Sequence, residues 1–143
     1  MGNRAVLVFE NDRTDKSPAI YLHWNGGRDS IEPFLTAAKL IGIGKLTTTT
    51  ERMDAIATML AKFFFECEIG RTVYREPFGQ TDQDNMDNGV YLIDNELSIV
   101  GRLYHDGDEQ SGHDHDQIVN EILSNMAQSA GIYSIPEDIA EQA

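Results

Sequence analysis

The sequence predicts an α+β domain. We expect a curved antiparallel sheet of about five strands with three helices, in the order β-β-α-α-β-β-β-α. Three observations carry this. Short apolar runs bounded by turn residues occur in pairs towards both ends of the chain. Long apolar stripes at helical spacing lie between and after them. The strict strand–helix alternation of a doubly wound sheet is missing.

The elements follow in order. "AVLVFEND" (5–12) reads as a strand. "AIYLHWN" (19–25) reads as a second, with Ile20, Leu22 and Trp24 on one face and His23 on the other. The polar "RTDKSP" between them suits a hairpin connection. Ser30 is a candidate helix cap, with Pro33 in the first turn. Ile31, Phe34, Leu35, Ala38 and Ile41 then recur at helical spacing, and "GIG" (42–44) ends the helix. Thr48 and Glu51 have capping-box spacing. They precede a wide stripe of Met53, Ile56, Ala57, Leu60, Phe63 and Phe64, which reads as core. Cys67 near its end reads as a small buried hydrophobe.

"RTVYREP" (71–77) is a third strand and "FGQTDQDNMDNG" (78–89) a loop. "VYLI" and "ELSIVGRLY" flank Asp94-Asn95, a two-residue hairpin turn. The last helix carries Ile118, Val119, Ile122, Leu123, Met126 and Ala130, with Asp116 as its candidate cap. Residues 131–143 read as a flexible or docked tail of a single domain, 1–143.

Charge is divided unevenly. The chain of 143 residues has a net charge of −13. Residues 1–75 are near neutral, whereas residues 76–143 contain Arg102 as their one base. That layout argues against direct binding to a nucleic-acid backbone, which needs clustered Lys and Arg. It favours a basic partner. The single cysteine excludes an internal disulfide and a thiolate zinc site. The apolar runs are too short for a membrane span and no signal peptide is recognised, so a soluble cytoplasmic protein is expected.

Three stretches are candidates for function. "YHDGDEQSGHDHDQ" (104–117) gathers His105, Asp106, Asp108, His113, Asp114 and His115, which are imidazole and carboxylate donors. The spacing lacks the i, i+4 histidines of a helical zinc site, so an acidic solvated loop is the plainer reading. "TDQDNMDNG" (81–89) fails as a calcium loop, because Met86 falls at a ligand position and Asn95 at the twelfth. "YLHWNGGRDS" (21–30) leads into a helix N-terminus, where free N–H groups can hold an anion. It lacks the Gly-Lys-Ser/Thr ending of a P-loop. No nucleophile elbow occurs, and Glu66 and Glu68 beside Cys67 oppose a reactive thiolate. No cofactor is expected, and an enzyme is the minority reading.

"YLHWNGGRDSIEPFL" and "DNMDNGVYLIDNELSIVGR" resemble segments of a family of small proteins from phages and other mobile elements. That family pairs a "YLHWNGGRDS" segment with a "DNGDNGVY" segment followed by "EIVGR". The similarity spans about residues 3 to 125, and Met86 stands where the family pattern has glycine. The resemblance implies a context in which small proteins act on host machinery or host defence. Together with the charge, it suggests an acidic inhibitor of the anti-CRISPR or antirestriction type. Its carboxylates would replace phosphates in the basic groove of a host nucleic-acid-binding protein. The partner-binding candidates are Asp82, Asp84, Asp87, Asp94, Glu96, Asp106, Asp108, Glu109, Asp114 and Asp116. The alternative is a small metal- or nucleotide-binding protein using His105, His113 and His115 or the "NGGRDS" loop. A two-fold homodimer is a further arrangement open to such a chain.

Overall fold

The computed structural model describes residues 3–64, 72–105 and 107–128, with side chains up to residue 125. The expectations for Cys67, Asp106, the Met126 side chain, Ala130 and the tail 131–143 lie outside the described residues. The fold is α+β. Strands β1 (Ala5–Phe9) and β2 (Pro18–Leu22) precede helices α1 (Arg28–Leu40) and α2 (Thr49–Phe63). Strands β3 (Val73–Pro77), β4 (Val90–Ile93) and β5 (Ile99–Leu103) and helix α3 (His115–Gln128) follow.

The sheet is mixed, not wholly antiparallel. Its order is β3-β2-β1-β4-β5, and β1 pairs with β4 in parallel, Val6 beside Val90 and Phe9 beside Ile93. The other three pairs are antiparallel. The reason is burial on both faces. Every residue of β1 and β4 is buried. A central strand covered on both sides reads as an unbroken apolar run, which "AVLVF" and "VYLI" both are. Ala5, Leu7, Phe9, Tyr91 and Ile93 face the helices, where they join Phe34, Met53, Ile56 and Leu60 in the main core. Val6, Val8, Ala19, Val90 and Leu92 face the other way and pack with Phe78. Phe78 belongs to the segment that leads from β3 at one edge to β4 beyond the centre.

The helices form for the expected reasons, with shifted boundaries. Thr48 caps α2 by accepting the Glu51 backbone N–H. The stripe Ile31, Phe34, Leu35, Ala38 and Ile41 is buried, and Gly42 ends α1 at φ +91°. Ser30 does not cap α1. The helix starts at Arg28 after Gly27, without a side-chain cap, so Pro33 falls past the first turn. Asp114, not Asp116, caps α3, accepting the Gln117 N–H at 3.0 Å. Strand β2 ends at Leu22, so Trp24 does not reach the core and is 47% exposed. The β4–β5 connection is longer than two residues. Asp94 accepts the N–H groups of Glu96 and Ser98, and Leu97 tucks its side chain into the core at φ +61°. Among the described residues no helix is long and apolar enough to cross a membrane.

Candidate functional site

The three unusual stretches meet at one end of the sheet. The residues before β1, after β2, before β4 and after β5 all emerge there, because β2 and β5 each run antiparallel to a parallel neighbour pair. We term this the loop end. Two glycines allow the approach. Gly26 donates its N–H to the Asn3 carbonyl at 2.7 Å, and a Cβ on Gly26 would lie 2.5 Å from that oxygen. Gly89 has φ +66°, and a Cβ there would sit 2.1 Å from the Leu103 carbonyl oxygen. The glycines of "NGG" and "DNG" are therefore packing requirements.

Side chains then fasten the loops across long stretches of sequence. Arg4 donates through Nε to Asp87 at 2.7 Å. Asn88 donates to the Asn3 side chain at 2.7 Å, and Asn3 and Gln110 exchange hydrogen bonds. Asn85 is buried and ties its own loop, accepting the N–H groups of Asp87 and Gly89. Arg102 is the centre. Its guanidinium stacks 3.9 Å above the Tyr91 ring, donates to the Asn88 carbonyl at 2.8 Å and pairs with Glu109 at 2.6 Å. The Tyr91 hydroxyl donates to the Gly26 carbonyl at 2.7 Å. Glu109 also meets Arg28 at 3.5 Å and His105 at 2.8 Å. Asp29, only 6% exposed at its side chain, accepts both the backbone N–H of His113 and contact from its Nδ1 at 2.9 Å.

Electrostatics follow from this pairing. Burial acts to raise the Glu109 carboxyl, but Arg102, His105 and Arg28 outweigh it and hold the carboxyl below its ordinary range. Burial likewise acts to raise Asp87, and the hydrogen bonds from Arg4 bring it below. Burial pushes the Tyr91 phenol up, so its hydroxyl stays a donor. Asp29 Oδ1, Arg102 Nε and His105 Nε2 are buried without a hydrogen-bond partner among the described residues. For His105 the nearby Glu109 oxygen is close enough for an ion pair but out of line for a hydrogen bond.

The ten candidate acids thus separate by role. Asp87 and Glu109 are tied inside the loop end, Asp94 closes its own turn and Asp114 caps α3. Asp82 has one loose contact with Arg4, at 3.8 Å, and is half exposed. Asp84, Glu96 and Asp108 are exposed, with no side-chain partner among the described residues. Asp94 and Glu96 lie at the opposite end, about 13 Å away along a four-residue strand. Asp116 projects from α3 beside His115. Asp106 lies outside the described residues.

The histidines do not converge either. His105 faces Glu109, His113 faces Asp29, and His115 lies between Thr36 and Asp116. Among the described residues no group of three or more His, Cys, Asp or Glu is placed to hold one metal ion. The "NGGRDS" helix terminus carries Asp29 in its first turn, and Arg28 is engaged by Glu32 and Glu109, a setting unfavourable to a phosphate.

What the sequence reading missed is apolar. Trp24, Met86 and Tyr104 are 47%, 88% and 57% exposed, and all three belong to the loop end. Met86 and Tyr104 themselves have left-handed backbone, at φ +62° and +57°, and Asn25 beside Trp24 is at +61°. Such angles are rare outside glycine and asparagine. Tyr74, Tyr21, His23 and Trp24 form a chain of ring contacts with centroids 5.1 to 6.2 Å apart, leading to the same end. Comparison with family models, with curated proteins and with solved structures finds no match.

Proposed function

We propose that the protein is an acidic inhibitory binding protein that occupies a basic nucleic-acid-binding surface of another protein and performs no chemistry of its own. One observation supports this most. The loop end holds its arginines in internal pairs, leaves Asp84 and Asp108 outward without side-chain partners among the described residues, and gives Asp82 only a 3.8 Å contact with Arg4. Carboxylates presented this way can stand where phosphates would, facing Lys and Arg of a partner. The phage-like resemblance makes a host protein of the anti-CRISPR-target or restriction class the first partner to test.

The test is a pull-down from lysate of the natural host at low and moderate salt, with the wild type beside an Asp82→Lys, Asp84→Lys, Asp108→Lys variant. A basic nucleic-acid enzyme should be retained by the wild type at low salt, released as ionic strength rises, and missed by the variant. Retention by the variant would overturn the reading. Asp87 and Glu109 are poor choices for reversal, because their loss would loosen the loops themselves.

A further inference from the structure

We propose that Trp24, Met86 and Tyr104 are the anchors of the loop end, and that their occupant is a basic amphipathic segment of a partner protein. The inference rests on the binding reading above and adds to it what charge alone does not supply. The three residues belong to the same end of the sheet. Trp24 follows β2 and Tyr104 follows β5, three strand spacings or about 14 Å apart. Met86 lies between them, since Asp87 is bonded to Arg4 at the start of the central strand β1. Two to three turns of a helix span that length at 1.5 Å per residue.

Aromatic residues and methionine are the types enriched where interfaces concentrate binding energy. Exposure of single apolar side chains is common and by itself says little. Here the backbone distinguishes them. Holding a non-glycine residue in the left-handed region costs stability and persists where something else requires it. At Met86 and Tyr104 the side chains so held are turned to solvent, so core packing does not explain the conformation. A rigid presentation of side chains lowers the entropy lost on binding.

Charge selects the occupant. Asp82 stands beside Arg4 at this end, half exposed, and exposed Asp108 adjoins Glu109, which pairs with Arg102, so exposed acids flank the end that carries the anchors. A second copy of this chain would set acids against acids. An anionic lipid surface would be repelled in the same way. A segment with Lys and Arg around an apolar face satisfies both features.

Two synthetic 14-residue peptides of equal charge test this, one of lysine and leucine in amphipathic order and one with each leucine replaced by serine. Trp24 is the only tryptophan, so its emission reports on the loop end. The lysine–leucine peptide should bind at least about tenfold more tightly and shift Trp24 emission to the blue. Met86→Asn and Tyr104→Asn, which keep a residue tolerant of left-handed backbone, should each weaken it about fivefold or more while the serine peptide is unaffected. Equal affinity for both peptides, or a leucine effect untouched by the two variants, would overturn the anchors. If equal affinities also vanished in the Asp82, Asp84, Asp108 lysine variant, the acidic-binder reading would stand without them. Dimerisation abolished by Met86→Asn in sedimentation would replace the partner segment with a second copy and overturn the occupant.

Discussion

The two ends of the sheet solve the same problem differently. At the turn end, side chains close two connections on themselves, although Asn11 also donates to Asn95, 84 positions away. Asp94 closes the β4–β5 turn with its own side chain, and Ser17 ties Thr14 and Asp12 within the β1–β2 turn. At the loop end, residues 83 to 107 positions apart are fastened to each other. Each end has left-handed non-glycine residues, and their fates differ. Leu97, at the turn end, is 2% exposed and its burial offsets the strained backbone. Met86 and Tyr104 bear the same strain with their side chains in water. Strain that burial explains is architectural, and strain that it leaves unexplained points to binding.

The largest test of this contrast is Gly89→Ala. Its Cβ would meet the Leu103 carbonyl at 2.1 Å and its φ would remain positive, so we expect a loss of more than about 3 kcal/mol in denaturant unfolding. A loss near zero would mean that the loops close more loosely than described. Leu97→Ala comes next, at about 2–4 kcal/mol, since the cavity is added to a strained turn that keeps its φ.

Acid titration tests the loop end against the central strand without mutation. Asp87 and Glu109 titrate below their ordinary values, so the stability they add is complete above about pH 4.5. It drains as pH falls through their native values. Protection against amide exchange, taken relative to the intrinsic rate at each pH, should therefore fall at the loop end before it falls in β1. A uniform loss of protection across the sheet would contradict a separately fastened loop end.

Much of the fold was legible because it is written in local periodicity. The stripes of α1 and α2, the Thr48 cap and the Gly42 stop each follow from neighbouring residues. The parallel β1–β4 pair was not foreseen: the antiparallel β1–β2 and β4–β5 pairs fix one edge of each strand, and the unbroken apolar runs of β1 and β4 were the only sign of what lies on the other. The site was harder. Its three stretches stood out in composition, yet the pairs Asp29–His113, Arg28–Glu109 and Arg4–Asp87 are long-range, and nothing in spacing predicts them. Trp24 was misplaced because the β2 run was extended past Leu22, which alternation would permit and the Gly26 close approach to Asn3 does not. Met86 gave a usable clue. It is the one apolar side chain in "TDQDNMDNG", and the backbone there is one that glycine adopts freely.

That clue yields the smallest prediction and the sharpest. Met86 is 88% exposed, so replacing it removes almost no packing. Asparagine tolerates left-handed backbone better than methionine does. Met86→Asn should therefore raise stability by about 0.5–1 kcal/mol, read as a higher denaturation midpoint at unchanged slope. Leu97→Asn, at the same φ, should do the reverse and destabilise, because it puts an amide into the core. If Met86→Asn were neutral or destabilising, the left-handed turn would not be strained, and the contrast between the two ends would lose its physical basis. If it stabilises, methionine is retained at position 86 against the interest of the fold, and the reason has to be sought in what the side chain touches outside this chain.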